Sequence, residues 1–137
     1  MQEEECIFCK IVAGKIPSDK IYEDEKVLAF LDINPVNVGH TLIIPKEHFK
    51  DIYETPYENI GEVMAVVKKV SESLKKIGAD GVNLAMNNGQ AAGQVVPHTH
   101  IHVIPRYVND GFELWHGKRG YAPGEMQEIV EKITKAL

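Results

Sequence analysis

The chain has 137 residues, 44% of them apolar (AVILMFWYC), enough for one domain of about 100–200 residues with an ordinary core and no disulfides. Fifteen Lys and Arg against twenty Asp and Glu leave a net charge of −5, the wrong sign for a surface that tracks nucleic acid or an anionic membrane. The start, Met1-Gln2-Glu3-Glu4-Glu5, lacks the positive charge of a signal peptide. No apolar run approaches the roughly 18 residues of a membrane span. The expectation is one cytoplasmic domain over 1–137, with neither nucleic acid nor membrane as partner.

In chain order, Ile7 to Val12 reads as a short helix that ends near Gly14. Val27 to Leu31 is an apolar run of strand length, closed by the turn residues Asp32-Ile33-Asn34-Pro35. Thr41 to Ile44 forms a second strand, stopped by Pro45. A long helix begins at Thr55-Pro56-Tyr57-Glu58, with Thr55 as N-cap, Pro56 at the first helical position and Glu58 completing a capping box. Its apolar face carries Ile60, Val63, Val67, Val70, Leu74 and Ile77, and Gly78 ends it. Gly81 to Met86 is a third strand, Asn87 to Gly93 a loop, and Thr99 to Ile104 a fourth strand. Met126, Ile129, Val130, Ile133 and Leu137 mark a closing helix. Strands that do not alternate regularly with helices indicate α+β with a mainly antiparallel sheet.

Cys6 and Cys9, the only cysteines, stand as Cys-x-x-Cys, which serves either as a redox pair or as half of a zinc site completed by histidines. Of six histidines, three fall in His98-Thr99-His100-Ile101-His102. On a strand, side chains at i, i+2 and i+4 share one face. The outer pair would then be about 13 Å apart at roughly 3.3 Å per residue, too far to share one metal ion without a bend. The other use is nucleophilic: a neutral imidazole attacks well near pH 7 because its free pKa is about 6.5. The Gly- and Asn-rich loop at Asn87 to Gly93 can aim backbone N–H groups at an anion beside those imidazoles.

These segments resemble the histidine triad family, whose signature His-φ-His-φ-His-φ-φ stands here as His98-Thr99-His100-Ile101-His102-Val103-Ile104. The likeness runs from about Cys6 to Tyr107. It takes in Phe30-Leu31-Asp32-Ile33, Gly39-His40-Thr41-Leu42-Ile43-Ile44-Pro45-Lys46-Glu47-His48 and Asn87-Asn88-Gly89-Gln90-Ala91-Ala92-Gly93-Gln94. The matching branch is that of the histidine triad nucleotide-binding proteins, since His102 stands where the uridylyltransferase branch has Gln.

The resemblance implies a five-stranded, mainly antiparallel sheet with two main helices, extended across a homodimer. It implies a nucleotidyl hydrolase that releases AMP or GMP from a purine nucleoside phosphoramidate or a related adenylyl compound. Cleavage of dinucleoside polyphosphates, or a nucleotide-binding scaffold with incidental turnover, are the alternatives. In the implied chemistry His100 attacks the α-phosphorus, His102 bonds its oxygens, and His98 orients the nucleophile and relays protons with His40. Gln94 and the backbone at Gly93 and Val95 hold the phosphate or leaving group, although relatives often carry serine where Val95 stands. Asp32 and Asn87 meet the ribose, and Ile33 walls the base. Some relatives hold a structural zinc at the positions of Cys6, Cys9, His48 and His98. The region of Trp115 and His116 is one that shapes the partner's pocket in the family.

Overall fold

An antiparallel sheet buried on both faces organises the chain in the computed structural model, which describes residues 3–113 and 117–137. Trp115 and His116 lie outside the described residues. The elements are α1 (Ile7–Val12), β1 (Lys20–Glu23), β2 (Val27–Leu31), β3 (Thr41–Pro45), α2 (Tyr57–Lys76), β4 (Gly81–Ala85), a 3-10 turn (Gln90–Ala92), β5 (Ile101–Arg106) and α3 (Glu125–Ala136). The five strands pair antiparallel in the order β1-β2-β3-β5-β4. The α+β class with a five-stranded antiparallel sheet is thus the observed architecture.

One face packs on α2. Val63, Val66, Val67, Val70 and Leu74 meet Val27 and Ala29 of β2, Ile43 of β3, and Ile101 and Val103 of β5. The opposite face packs on α1, where Phe8, Cys9 and Ile11 meet Leu28, Phe30, Leu42 and Ile44. Covered on both sides, β2 and β3 are continuous apolar runs rather than alternating ones, and this makes them legible in the sequence. In β5 the burial does alternate: Ile101, Val103 and Pro105 are buried, while His102 sits between them facing the α1 side. Gly39, at φ +100°, leads into β3; a Cβ there would meet Leu74 Cδ2 at 3.2 Å, so only glycine suits this approach.

Three sequence expectations need correction, and one strand carries no sequence signal. That strand is β1, because Lys-Ile-Tyr-Glu is a short edge strand with three exposed positions and no apolar run. It is held by its turn, where the Asp24 carboxylate accepts the N–H groups of Lys26 and Val27 at 2.8 and 2.7 Å. Thr55 does not cap α2, which begins at Tyr57 with Pro56 as its N-cap. The Thr55 hydroxyl instead donates to Asp51 O at 2.7 Å and so accepts from the Thr99 hydroxyl at 2.8 Å. That buried pair also explains a threonine at an apolar position of the His-φ-His-φ-His pattern. Ile77 is exposed at the C-cap rather than part of the buried face. Lastly, β5 begins at Ile101, not Thr99. Residues 96–100 bend past Pro97, with His98 N–H on Val96 O and Thr99 N–H on Phe49 O, so the three imidazoles do not line one strand face.

The closing helix α3 forms where its periodicity predicts, yet none of its residues is buried within the protomer. Among the described residues no helix is long and apolar enough to cross a membrane.

Candidate active site

A cavity of about 430 Å³ opens on the α1 side of the sheet. His100 and His102 border it beside Asp32, Asn34 and Asn87, while Gly93, Val95 and Val96 form its far lip. Its apolar wall comes from Ile7, Phe8 and Ile11 of α1, Ile16 after it, and Phe30 and Leu42 of the sheet. The wall has a simple origin: α1 presents Cys6 and Cys9 toward one neighbour and Ile7, Phe8 and Ile11 toward the cavity.

Hydrogen bonds fix the protons on these rings. The His98 carbonyl lies 2.6 Å from His100 Nδ1, so that nitrogen donates and the neutral ring keeps a lone pair on Nε2. The Val36 N–H donates to His40 Nδ1 at 3.0 Å, which places the His40 proton on Nε2. His40 Nε2 then donates to His102 Nδ1 at 2.9 Å, leaving His102 with its proton on Nε2. One backbone carbonyl and one backbone N–H thus set a bare nitrogen on His100 and an N–H on its neighbour, with ring centroids 5.1 Å apart. Asp32 Oδ2 stands 3.6 Å from His40 Nε2 and 4.0 Å from His102 Nδ1. His40 and His102 are thus joined in a hydrogen-bonded relay, and with Asp32 they offer ligand atoms within 4.8 Å of one another.

Burial above all lowers the pKa of His40, His100 and His102, the last to about 4, with the charges of His100 and His40 adding to the effect there. A histidine held below its unfolded value of about 6.5 binds fewer protons folded than unfolded between those limits. Its contribution to stability is therefore complete above about pH 6.5 and declines as pH falls toward about 4, by at most about 1.4 kcal/mol per pH unit. Thermal midpoints measured from pH 7 to 4.5 should fall less steeply for His102→Gln than for the unaltered protein; equal slopes would contradict this.

Behind His100 lies a second cluster of Cys6, Cys9, His48 and His98, whose ligand atoms all lie within 4.8 Å of one another. Cys6 Sγ is 3.4 Å from His98 Nδ1, and Cys9 Sγ is 3.4 Å from His48 Nδ1 and 3.6 Å from His98 Nδ1. The two Nδ1 atoms are 3.2 Å apart. A tetrahedron with Zn–N near 2.0–2.1 Å and Zn–S near 2.3 Å has edges of about 3.3–3.8 Å, so the donor set fits zinc in both chemistry and spacing. His98 Nε2 donates to Pro45 O at 2.8 Å, which turns the Nδ1 lone pair into the cluster. Burial pushes the Cys9 thiol up, so without a cation it holds a proton that a metal would displace. Phe8, between the two cysteines, sets its ring edge-on to both His98 and His100, 5.8 and 5.1 Å away.

Most residues singled out from the sequence meet here, although His98, His40 and Gln94 do not border the cavity. His98 has its ring in the cysteine cluster and only its carbonyl toward His100. Gln94 braces the loop: its Nε2 donates to the Lys50 and Val96 carbonyls, and its Oε1 accepts from Gly89 N–H. Asn87 donates weakly to Gly93 O at 3.4 Å. Ile33 and Val95, each 89% exposed, stand at the mouth. Phe8 and the rest of the apolar wall come to the site only through the α1–sheet packing, and the Val36 N–H through the turn that leads to His40; none was singled out by a residue pattern. Phe8 alone carried a signal, in its place between the metal-spaced cysteines.

The HIT domain matches residues 13–109. The chain is 56% identical over 128 residues to an uncharacterized HIT-like protein of Methanocaldococcus jannaschii, covering 93% of this chain and 98% of that one. It is 42% identical over 134 residues to an adenosine 5′-monophosphoramidase of Schizosaccharomyces pombe, covering 96% and 98%. Among solved structures it resembles a Zn-bound histidine triad family protein from Mycobacterium smegmatis, with TM-score 0.78, 38% identity and coverage of 97% and 98%.

Proposed function

Because the chain belongs to the HIT family, in the branch of the histidine triad nucleotide-binding proteins, we propose that it hydrolyses purine nucleoside phosphoramidates or related adenylyl compounds. The observation that carries the reading is the fixed proton pattern of the two cavity imidazoles, a bare Nε2 on His100 beside an Nε2–H on His102. In this reaction His100 Nε2 attacks the α-phosphorus as the bond to the leaving nitrogen breaks, giving a nucleotidyl-histidine. His102 donates to the phosphoryl oxygens as they gain charge. The departing amine takes a proton from water at the open mouth. Water then attacks the same phosphorus, frees AMP or GMP and restores neutral His100.

Asp32 and Asn87 meet the ribose hydroxyls in this reading, which is supported by their position on the cavity wall. His98 acts through its main-chain carbonyl rather than as a proton relay, since both of its ring nitrogens have other partners. Gln94 acts by shaping the loop that brings the Val95 backbone toward the phosphate. Contrary to the sequence expectation, the Gly93 N–H does not serve there, because it donates to Gln90 O at 3.0 Å within the loop. Cys6, Cys9, His48 and His98 would hold a structural zinc, which ties α1 to the end of β3 and to the bend that carries His100. A homodimer is part of the same reading, supported by the open outer edge of β4, by Leu84 exposed upon it and by the uncovered apolar stripe of α3.

Incubation with adenosine 5′-phosphoramidate should release AMP, and diadenosine tetraphosphate should be the poorer substrate. No AMP from the phosphoramidate would contradict the reading. Preference for the tetraphosphate would move the protein to dinucleoside polyphosphate hydrolysis.

A further inference from the structure

The donor atoms of Cys6, Cys9, His48 and His98 are themselves held from behind. His98 Nε2 donates to Pro45 O at 2.8 Å, which turns its Nδ1 inward. His48 also turns Nδ1 inward, 3.4 Å from Cys9 Sγ and 3.2 Å from His98 Nδ1. A cation held there needs that lone pair, which leaves the His48 proton on Nε2. On that outer side stands the Glu3 carboxylate, its Oε2 3.6 Å from His48 Nε2 and within ion-pair range.

Glu3 meets the cluster through its main chain as well. Its N–H donates to Cys9 Sγ at 3.3 Å, and its carbonyl accepts the Cys6 N–H at 3.2 Å. One residue thus contacts three of the four cluster residues. The two main-chain bonds fix its Cα, so the side chain starts out already directed at His48. The His48 side chain is 10% exposed and that of Glu3 67%. A carboxylate so open to water adds little to folding by itself. Its effect lies in the imidazole it faces: a carboxylate behind a metal-binding histidine fixes the tautomer and makes the inner nitrogen more basic.

We propose that Glu3 is a positioning residue of this cluster, its carboxylate holding the His48 Nε2–H so that Nδ1 is presented to a bound divalent cation. This rests on the zinc reading above, and it adds a residue that strengthens metal binding without ligating the ion. Because the Glu3 side chain is exposed, its removal separates metal affinity from packing. Glu4→Ala removes the same charge one residue away, from a side chain that does not pair with His48.

The test loads the unaltered protein, Glu3→Ala, Glu3→Gln and Glu4→Ala with zinc and titrates each with a chromophoric chelator. Glu3→Ala should bind zinc at least about tenfold more weakly. Glu3→Gln should lose less, because its amide oxygen still accepts from Nε2–H. Glu4→Ala should bind zinc like the unaltered protein. Metal-free thermal midpoints of all four should agree within about 2 °C. Cobalt in place of zinc should give all four the same thiolate-to-metal absorption, since the ligands are unchanged. Unchanged zinc affinity in Glu3→Ala overturns the proposal. So does an equal loss in Glu4→Ala, which marks net charge alone, or a loss in Glu3→Gln as large as in Glu3→Ala. A lowered metal-free midpoint in Glu3→Ala, which marks a folding defect, or an altered cobalt spectrum, which makes Glu3 a ligand, also overturns it. If the unaltered protein takes up no zinc, the zinc reading itself fails, an outcome distinct from all of these.

Discussion

His100→Ala is expected to lower the rate of AMP release from adenosine 5′-phosphoramidate by at least about a thousandfold, while the dissociation constant for AMP changes only a few-fold. Losing a nucleophile removes the step on which the others depend, so the effect falls on kcat rather than on binding. Among the described residues, no neighbouring imidazole is free to replace it. The His102 lone pair faces His40, and both ring nitrogens of His98 are taken up by Pro45 O and the cysteine cluster. A variant that keeps a tenth of the activity would show that His100 is not the attacking group. Turnover measured against AMP affinity by calorimetry separates the two outcomes.

Removing the zinc proposed for the Cys6, Cys9, His48 and His98 cluster should have the second-largest effect. Protein prepared without chelator is expected to carry one zinc per chain, and stripping it, or making Cys9→Ser, should lower the thermal midpoint by at least about 10 °C. The cluster joins residues 92 positions apart, Cys6 and His98, across the α1 face of the sheet. Without the metal, buried donors brought within 3.2–3.6 Å of each other lose their common partner. Two consequences follow for the cavity. The wall formed by Ile7, Phe8 and Ile11 rides on the helix that the cysteines hold, so nucleotide affinity should fall. The carbonyl that orients His100 belongs to His98 of the same cluster, so kcat should fall as well. Metal analysis with scanning calorimetry is the check; a metal-free protein with an unchanged midpoint would contradict the account.

How far the sequence disclosed this arrangement depends on the element. The buried strands β2 and β3 stood out because both faces are covered, and α2 because Val63, Val67, Val70 and Leu74 recur at helical spacing. The edge strand β1 did not, because its exposed Lys-Ile-Tyr-Glu run is held by a turn and a neighbour rather than by apolar burial. The histidines were legible as a group but not in their geometry. Period-two spacing predicts a shared face only if the strand runs through all five residues, and the turn at Pro97, fixed by Phe49 O, delays the ladder to Ile101. That delay sends the His98 ring to the cysteines and leaves its carbonyl for His100. The N-cap reading of Thr55 failed for a related reason: a tertiary partner 44 residues away, Thr99, competes for the same hydroxyl. The tautomers of His40 and His102 depend on the N–H of Val36, and a backbone group contributes nothing to a residue pattern.

The stereochemical course at phosphorus tests the central claim most directly, because it does not require the intermediate to accumulate. An adenosine substrate made chiral at the α-phosphorus is hydrolysed, and the configuration of the released nucleotide is determined. Two successive in-line displacements, first by His100 Nε2 and then by water, predict net retention. Net inversion would mean that water attacks the substrate directly, and would contradict a nucleotidyl-histidine on His100.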